Sequence, residues 1–207
     1  MKLLLVSDEP DPLLWDYYRP GLLSGYDLIL SAGDLKAAYL EFLVTMANRP
    51  LIYVHGNHDG IYERQPPEGC MCADDTLLTV QGLRILGLGG SGLYNGGPWQ
   101  FTERQMRWRI RRLKWKIWKA GGVDLVLSHA PVRGLGDEEF PAHRGFEAFL
   151  SLIDEIRPRY WVHGHVHLNC HPCQPRVLRR GGTTIINAFG RFVLDTDAPP
   201  AYQSIEP

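Results

Sequence analysis

Leu51-Ile52-Tyr53-Val54-His55-Gly56-Asn57-His58-Asp59 passes within a few residues from an unbroken apolar run to a polar turn. The run is short, rich in branched and aromatic side chains and bounded by Pro50, as a strand buried on both faces would be. The turn offers an amide oxygen, imidazoles and a carboxylate, and Gly56 lets the backbone fold tightly there. The same figure recurs along the chain. Leu3–Ser7 leads into Asp8, and Tyr26–Ser31 into Gly33-Asp34. Val123–Leu127 leads into Ser128-His129, and Tyr160–His163 into Gly164-His165-Val166-His167. Helical patterns separate these runs: Leu35–Asn48, with Leu35, Tyr39, Phe42, Leu43 and Met46 on one stripe and Pro50 as a stop; Thr102–Lys119, capped by Thr102 and ended by Gly121-Gly122; and Phe146–Ile156, closed by Pro158. Strands alternating with helices predict an α/β fold. The carboxyl ends of parallel strands open onto one crevice, so motifs as distant as Asp8 and His167 can meet.

Leu77–Val80 and Leu83–Leu88 read as a hairpin around Gln81-Gly82, and 176–180, 183–187 and 191–194 as a β-meander. The chain has 207 residues, 44% of them hydrophobic, enough for one substantial core, and is expected to form one domain over residues 1–207. Its formal net charge of -1 does not mark a polyanion binder. Leu3-Leu4-Leu5-Val6 is too short for a signal peptide, and no run approaches the ~20 apolar residues of a membrane span. The expected location is therefore the cytoplasm, where Cys70, Cys72, Cys170 and Cys173 would stay reduced. Their spacing is irregular for zinc, even with His171 between the last pair, so they read as free thiols.

Hydrolytic metal sites combine carboxylate, amide-oxygen and imidazole ligands with open positions for water. Asp8, Asp34, Asn57, His129, His165 and His167 supply that mixture at strand ends. A carboxylate such as Asp34 can bridge two ions, and two ions about 3.5–4 Å apart can clamp a phosphoryl group. His58, beside Asn57, would point past the ions, where an imidazole can protonate a leaving oxygen or stabilise transition-state charge. His55, His163 and Asp59 read as loop-shaping groups. His143 and Arg144, ahead of a helix, could meet a phosphate, although a capping role fits His143 at least as well. Gly87–Gly92 fits neither the dinucleotide fingerprint nor the P-loop and reads as a turn bordering the site, with Tyr94 and Asn95 as candidate substrate contacts.

The series Asp8, Gly33-Asp34, Gly56–Asp59, Ser128-His129-Ala130-Pro131 and Gly164–His167 resembles the calcineurin-like metallophosphoesterases. The resemblance implies a four-layer α/β/β/α sandwich. It implies one ion held by Asp8, Asp34 and His167, a second by Asp34, Asn57, His129 and His165, and hydrolysis of a phosphomonoester or phosphodiester by a metal-activated hydroxide, with His58 assisting. The ions would be manganese, iron, zinc, nickel, cobalt or magnesium. One position departs from the family pattern. Its first motif is usually Asp-x-His, and Pro10 stands where the histidine belongs. Glu9 or Asp11 could substitute, making an oxygen-rich position that leans toward manganese or magnesium; otherwise that position is weak or empty. Two further readings follow. Pro10 admits a catalytically weak, metal-binding regulatory protein on the same fold. The helix Arg104–Lys119, with eight basic residues in sixteen and no acid, admits a nucleic-acid or anionic-membrane surface. An ordinary layer helix is the simpler expectation for it: Met106, Ile110, Leu113 and Ile117 face the core, Trp108, Trp115 and Trp118 widen that apolar face, and the basic residues are solvated. Oligomeric state is not legible.

Overall fold

The computed structural model describes residues 1–170, 174–198, 200, 201, 203 and 204. His171 and Cys173 lie outside the described residues. Two sheets face each other. The first runs β13-β1-β2-β3-β4 and holds β1 (Lys2–Ser7), β2 (Leu28–Ser31), β3 (Leu51–Tyr53), β4 (Met71–Cys72) and β13 (Gly190–Asp195). The second runs β14-β11-β12-β10-β9-β6-β5. It holds β5 (Leu77–Val80), β6 (Leu83–Leu88), β9 (Leu125–Ser128), β10 (Tyr160–His163), β11 (Val177–Arg180), β12 (Thr183–Asn187) and β14 (Gln203–Ser204). A two-stranded ribbon joins β7 (Ser91–Gly92) to β8 (Gln100–Phe101). The central pairs β1–β2, β2–β3, β6–β9, β9–β10 and β10–β12 are all parallel.

The four layers follow from which alternate side chain each strand sends to each face. Leu3, Leu5, Leu28, Leu30, Ile52 and Val54 meet Ile85, Leu125, Leu127, Tyr160, Val162 and Ile186 between the sheets. Leu4, Val6, Ile29 and Leu51 pack outward on Tyr39, Leu40 and Leu43 of α1 (Ala37–Ala47). Leu86, Val126, Trp161 and Ile185 pack outward on Met106, Ile110 and Leu113 of α2 (Glu103–Lys119) and on Phe149 and Leu152 of α3 (Glu147–Ile156). The fold is thus the α/β/β/α sandwich. Thr102 and Gln105 close a capping box at the start of α2.

Three local expectations are corrected. The last segments do not form a meander: β11 and β12 pair antiparallel, but β13 turns away at Gly190 (φ 65°) and pairs antiparallel with β1 in the other sheet. The stripe of α1 is narrower than its spacing suggests, because Met46 is exposed on the solvent side. On α2 the tryptophans do not widen the apolar face. Trp108, Trp115 and Trp118 are 57%, 65% and 71% exposed, while Arg109 is the buried member of the basic set. Arg109 Nε donates to Asp75, Nη1 donates to the Gly89 carbonyl, and the guanidinium lies over Phe101. No helix among the described residues is long and apolar enough to cross a membrane.

Candidate metal centre

The strand ends of both sheets converge on one crevice. Asp8, Asp34 and His165 take left-handed backbone conformations (φ 66°, 57° and 68°), which cost a non-glycine residue energy and concentrate at functional sites. The turns are locked to one another. Asp59 Oδ2 accepts the N–H groups of Asp34 and Gly56 at 2.8 and 2.7 Å, Asp34 Oδ1 accepts the His58 N–H at 2.8 Å, and both Asp8 oxygens accept the His165 N–H at 3.0 Å. A side chain on Gly56 would run into the Asp34 carboxylate, and one on Gly164 into Ser7 and Asp8. Both glycines are therefore required by close approach.

Asp34, His129 and His165 present ligand atoms within 4.8 Å of one another. His129 Nδ1 donates to the Ala32 carbonyl at 2.7 Å, and His165 Nε2 donates to the Ala142 carbonyl at 2.5 Å. Those carbonyls fix both tautomers and leave His129 Nε2 and His165 Nδ1 facing inward, 3.1 Å apart, with Asn57 Oδ1 at 3.1 Å and Asp34 Oδ2 at 3.3 Å from His129 Nε2. A carboxylate, an amide oxygen and two oriented imidazoles around one point form a donor set that fits a divalent ion. Asp8 and His167 sit alongside, with His167 Nε2 at 3.6 Å from Asp8 Oδ1.

Electrostatics bind the cluster together. Burial disfavours charge on His129, but the Asp34 and Asp8 carboxylates hold a proton on the ring and lift it to about 9. Burial and the His129 charge push His165 down to about 3. Burial works against ionisation of Asp34, yet His129 and the His58 N–H outweigh it and bring the carboxyl down to about 2. Burial and the neighbouring Asp34 charge raise Asp59 to about 6.

The other sequence candidates divide. His58 is exposed at the rim, held by its backbone N–H on Asp34. Tyr94 Oη accepts a hydrogen bond from Asn57 Nδ2 at 3.2 Å. His143 packs edge-on against His165 at 5.3 Å between ring centres, with Nδ1 on Glu138 at 2.7 Å. Arg144 is turned to the Glu139 carbonyl, and Asn95 Oδ1 accepts from Gly97 and Gln100 in its own loop, so neither meets the cluster. Asp11 is committed elsewhere: Oδ1 caps the following 3-10 turn at Leu13 N, and Oδ2 pairs with Arg191 at 3.1 Å. Glu9 is exposed and accepts from Asn169.

Two supports were not read from the sequence as such. Asp74 takes His55 Nδ1 at 2.6 Å and the Gly89 N–H at 2.7 Å, seating His55 flat on Trp99 at 3.8 Å beneath the Asn57 turn. Asn187 donates to the Val166 carbonyl at 2.8 Å, bracing the Gly164–His167 turn. The signal for each was a polar residue closing a strand, blurred by the two-residue length of β4 and by the meander reading of β12. Cys70, Cys72 and Cys170 are free thiols; the Cys72 thiol donates to Asp74.

A sequence profile described as calcineurin-like phosphoesterase matches residues 11–169. A UPF0046 protein of Caenorhabditis elegans is 27% identical over 211 residues, spanning 91% of this chain and 69% of its own length. A second UPF0046 protein of that organism is 27% identical over 183 residues, which covers 68% of this chain and 46% of the relative. A lariat debranching enzyme of Schizosaccharomyces pombe is 27% identical over 150 residues, 56% of this chain and 32% of the enzyme. This chain therefore matches less than half the length of the latter two relatives. The solved structure of TT1561 from Thermus thermophilus superposes with a TM-score of 0.61 at 16% identity over 91% of this chain and 88% of that one. Another solved structure reaches 0.69 at 15% identity over 96% of both chains. At those identities the likeness concerns the fold.

Proposed function

The chain belongs to the calcineurin-like phosphoesterase family, and from that premise we propose that it hydrolyses a phosphate ester at a two-ion centre. Asp34, Asn57, His129 and His165 would hold one ion, and Asp8, Asp34 and His167 the other, with Asp34 shared between them. The supporting observation is the pair of inward nitrogens, 3.1 Å apart, whose outer nitrogens are spent on carbonyls. Divalent ions held there supply Lewis-acid polarisation of a phosphoryl oxygen and acidify a water; manganese suits the oxygen-rich first position. The chain's own residues do the rest. His58 stands at the rim with its backbone anchored on Asp34, free to give a proton to the departing ester oxygen. Asp59 keeps the Asp34 and Gly56 turns in register, and Tyr94 fixes the Asn57 amide so that its oxygen faces inward. A place of action in the cytoplasm agrees with the unpaired thiols.

Hydrolysis of bis-p-nitrophenyl phosphate and p-nitrophenyl phosphate with manganese, measured beside Asp34→Ala and His58→Ala, tests the reading. Activity on either ester that disappears in Asp34→Ala supports it. Wild type and Asp34→Ala equally inert across several metals would overturn it. One observation favours a second reading, a weakly active protein with a single ion. Asp11 is bound to Arg191 and Leu13, so of the two acids flanking Pro10 Glu9 alone is left to replace the missing side chain. Metal analysis separates the two: one ion per chain in excess manganese favours the second.

A further inference from the structure

The outward face of α2 is built unlike an ordinary solvated helix. Met106, Ile110, Leu113 and Ile117 are buried against the second sheet. By the helical period Trp108 and Trp115 lie on the opposite side, along the middle of the exposed face. Trp115 and Trp118 stack on each other, with ring centres 4.9 Å apart and planes 26° from parallel, and the Arg112 guanidinium covers Trp108 at 4.6 Å. Large aromatic rings more than half exposed bury little of their own apolar surface, so their place here is not explained by folding.

Charge surrounds them. On the flank toward α3, Arg107 is paired with Glu103 and Glu147, and Lys114 with Glu155. Arg104, Arg111, Arg112, Lys116 and Lys119 are exposed, and none has a carboxylate within ion-pair distance among the described residues. A second copy docking by this face would set five unpaired cations against five. A bilayer-inserting face carries leucine, isoleucine or phenylalanine beside its tryptophan, whereas on α2 every such residue is turned into the core. Stacked flat rings among arginines match a different occupant. Unpaired bases stack on aromatic faces, and guanidiniums take the phosphates between them.

We infer that the exposed face of α2 is a binding surface for single-stranded nucleic acid, with Trp115 and Trp118 as the base platform and Arg104, Arg111, Arg112, Lys116 and Lys119 as the phosphate contacts. Single strands are specified because bases within a duplex do not offer their faces. The inference rests on the helix alone and is independent of the proposed chemistry at the metal centre.

Fluorescence anisotropy with a labelled oligothymidylate of about 20 nucleotides, titrated from about 50 to 200 mM salt, tests it on the full chain. Wild type is expected to bind with an affinity that falls steeply with salt. Arg111→Gln/Arg112→Gln/Lys116→Gln should weaken binding at least about tenfold and flatten the log–log salt slope by about 2, at ~0.7 per lost contact. Trp115→Ala/Trp118→Ala should weaken it at least about tenfold with the slope unchanged, because stacking carries no counterion release. All these positions are exposed, and unchanged thermal melting verifies the fold of each variant. Asp34→Ala should bind as wild type does, so loss of hydrolysis and loss of binding are separable. No saturable binding at the lowest salt overturns the inference. So do two variants that bind as tightly as wild type, binding to phosphatidylserine vesicles without binding to the oligonucleotide, and a self-association lost in the tryptophan variant without oligonucleotide binding.

Discussion

His129 and His165 sit side by side yet are driven to opposite protonation states. His129 keeps a proton up to about pH 9, and His165 stays neutral above about pH 3. An ion entering between them must displace the His129 proton, so metal affinity should rise with pH. Below the raised pKa, one released proton means about a tenfold tighter dissociation constant per pH unit. Manganese titrations between about pH 6 and 8, in buffers of different protonation enthalpy, measure that proton, and an affinity independent of pH would contradict the assignment. His58 should behave differently from the ligands. His58→Ala is expected to lower kcat by about 10²–10⁴-fold with the metal content intact, whereas Asp34→Ala should lose both. Gly56→Ala should also lose metal, because the added methyl displaces the Asp34 carboxylate; metal analysis of the three variants side by side checks the order. Much of this cluster was legible because its members close apolar runs. What stayed hidden was how the other polar groups spend themselves. Nothing in the order Glu9-Pro10-Asp11 shows that Asp11 turns to Arg191, a partner brought near only when β13 lands beside β1.

At the scale of elements, α2 separates what periodicity can and cannot tell. Its buried stripe and its Thr102 cap follow from spacing, and the cap has a measurable worth. Thr102→Ala removes the acceptor for Gln105 N and should cost about 1 kcal/mol of stability in urea unfolding, with catalysis unchanged. Residue type misled where it was read as burial. Tryptophan is apolar enough to suggest the core and arginine polar enough to suggest solvent, yet Trp115 is exposed and Arg109 is buried. The exchange has a reason: Asp75 and the Gly89 carbonyl satisfy the Arg109 guanidinium inside, while position 115 lies on the side of the helix opposite the buried stripe Met106, Ile110, Leu113 and Ile117. The crossing of β13 to the first sheet was hidden for a related reason. Strand pattern specifies which faces are buried, but the choice between two apolar sheets is made by packing across the whole domain.

At the scale of the molecule, the candidate donors divide evenly. Asp8, Asp34 and Asn57 follow β1, β2 and β3 of one sheet; His129, His165 and His167 follow β9 and β10 of the other. An ion bound across that seam is present only in the folded state, so it should stabilise the whole chain. At a free concentration a hundredfold above its dissociation constant, the gain is about 2.7 kcal/mol, or a rise in Tm of about 5–10 °C for a chain of this size. Calorimetry before and after chelation measures it, and a Tm indifferent to manganese would show that no ion bridges the sheets. The seam also orders events during folding. Neither sheet alone owns more than half the donors of the position formed by Asp34, Asn57, His129 and His165, since two come from each. No partly folded intermediate with a single sheet formed can load metal well. Metal uptake at these donors should therefore time the docking of the two sheets: during refolding it is expected to lag the return of secondary structure and coincide with the burial of the apolar layer between them.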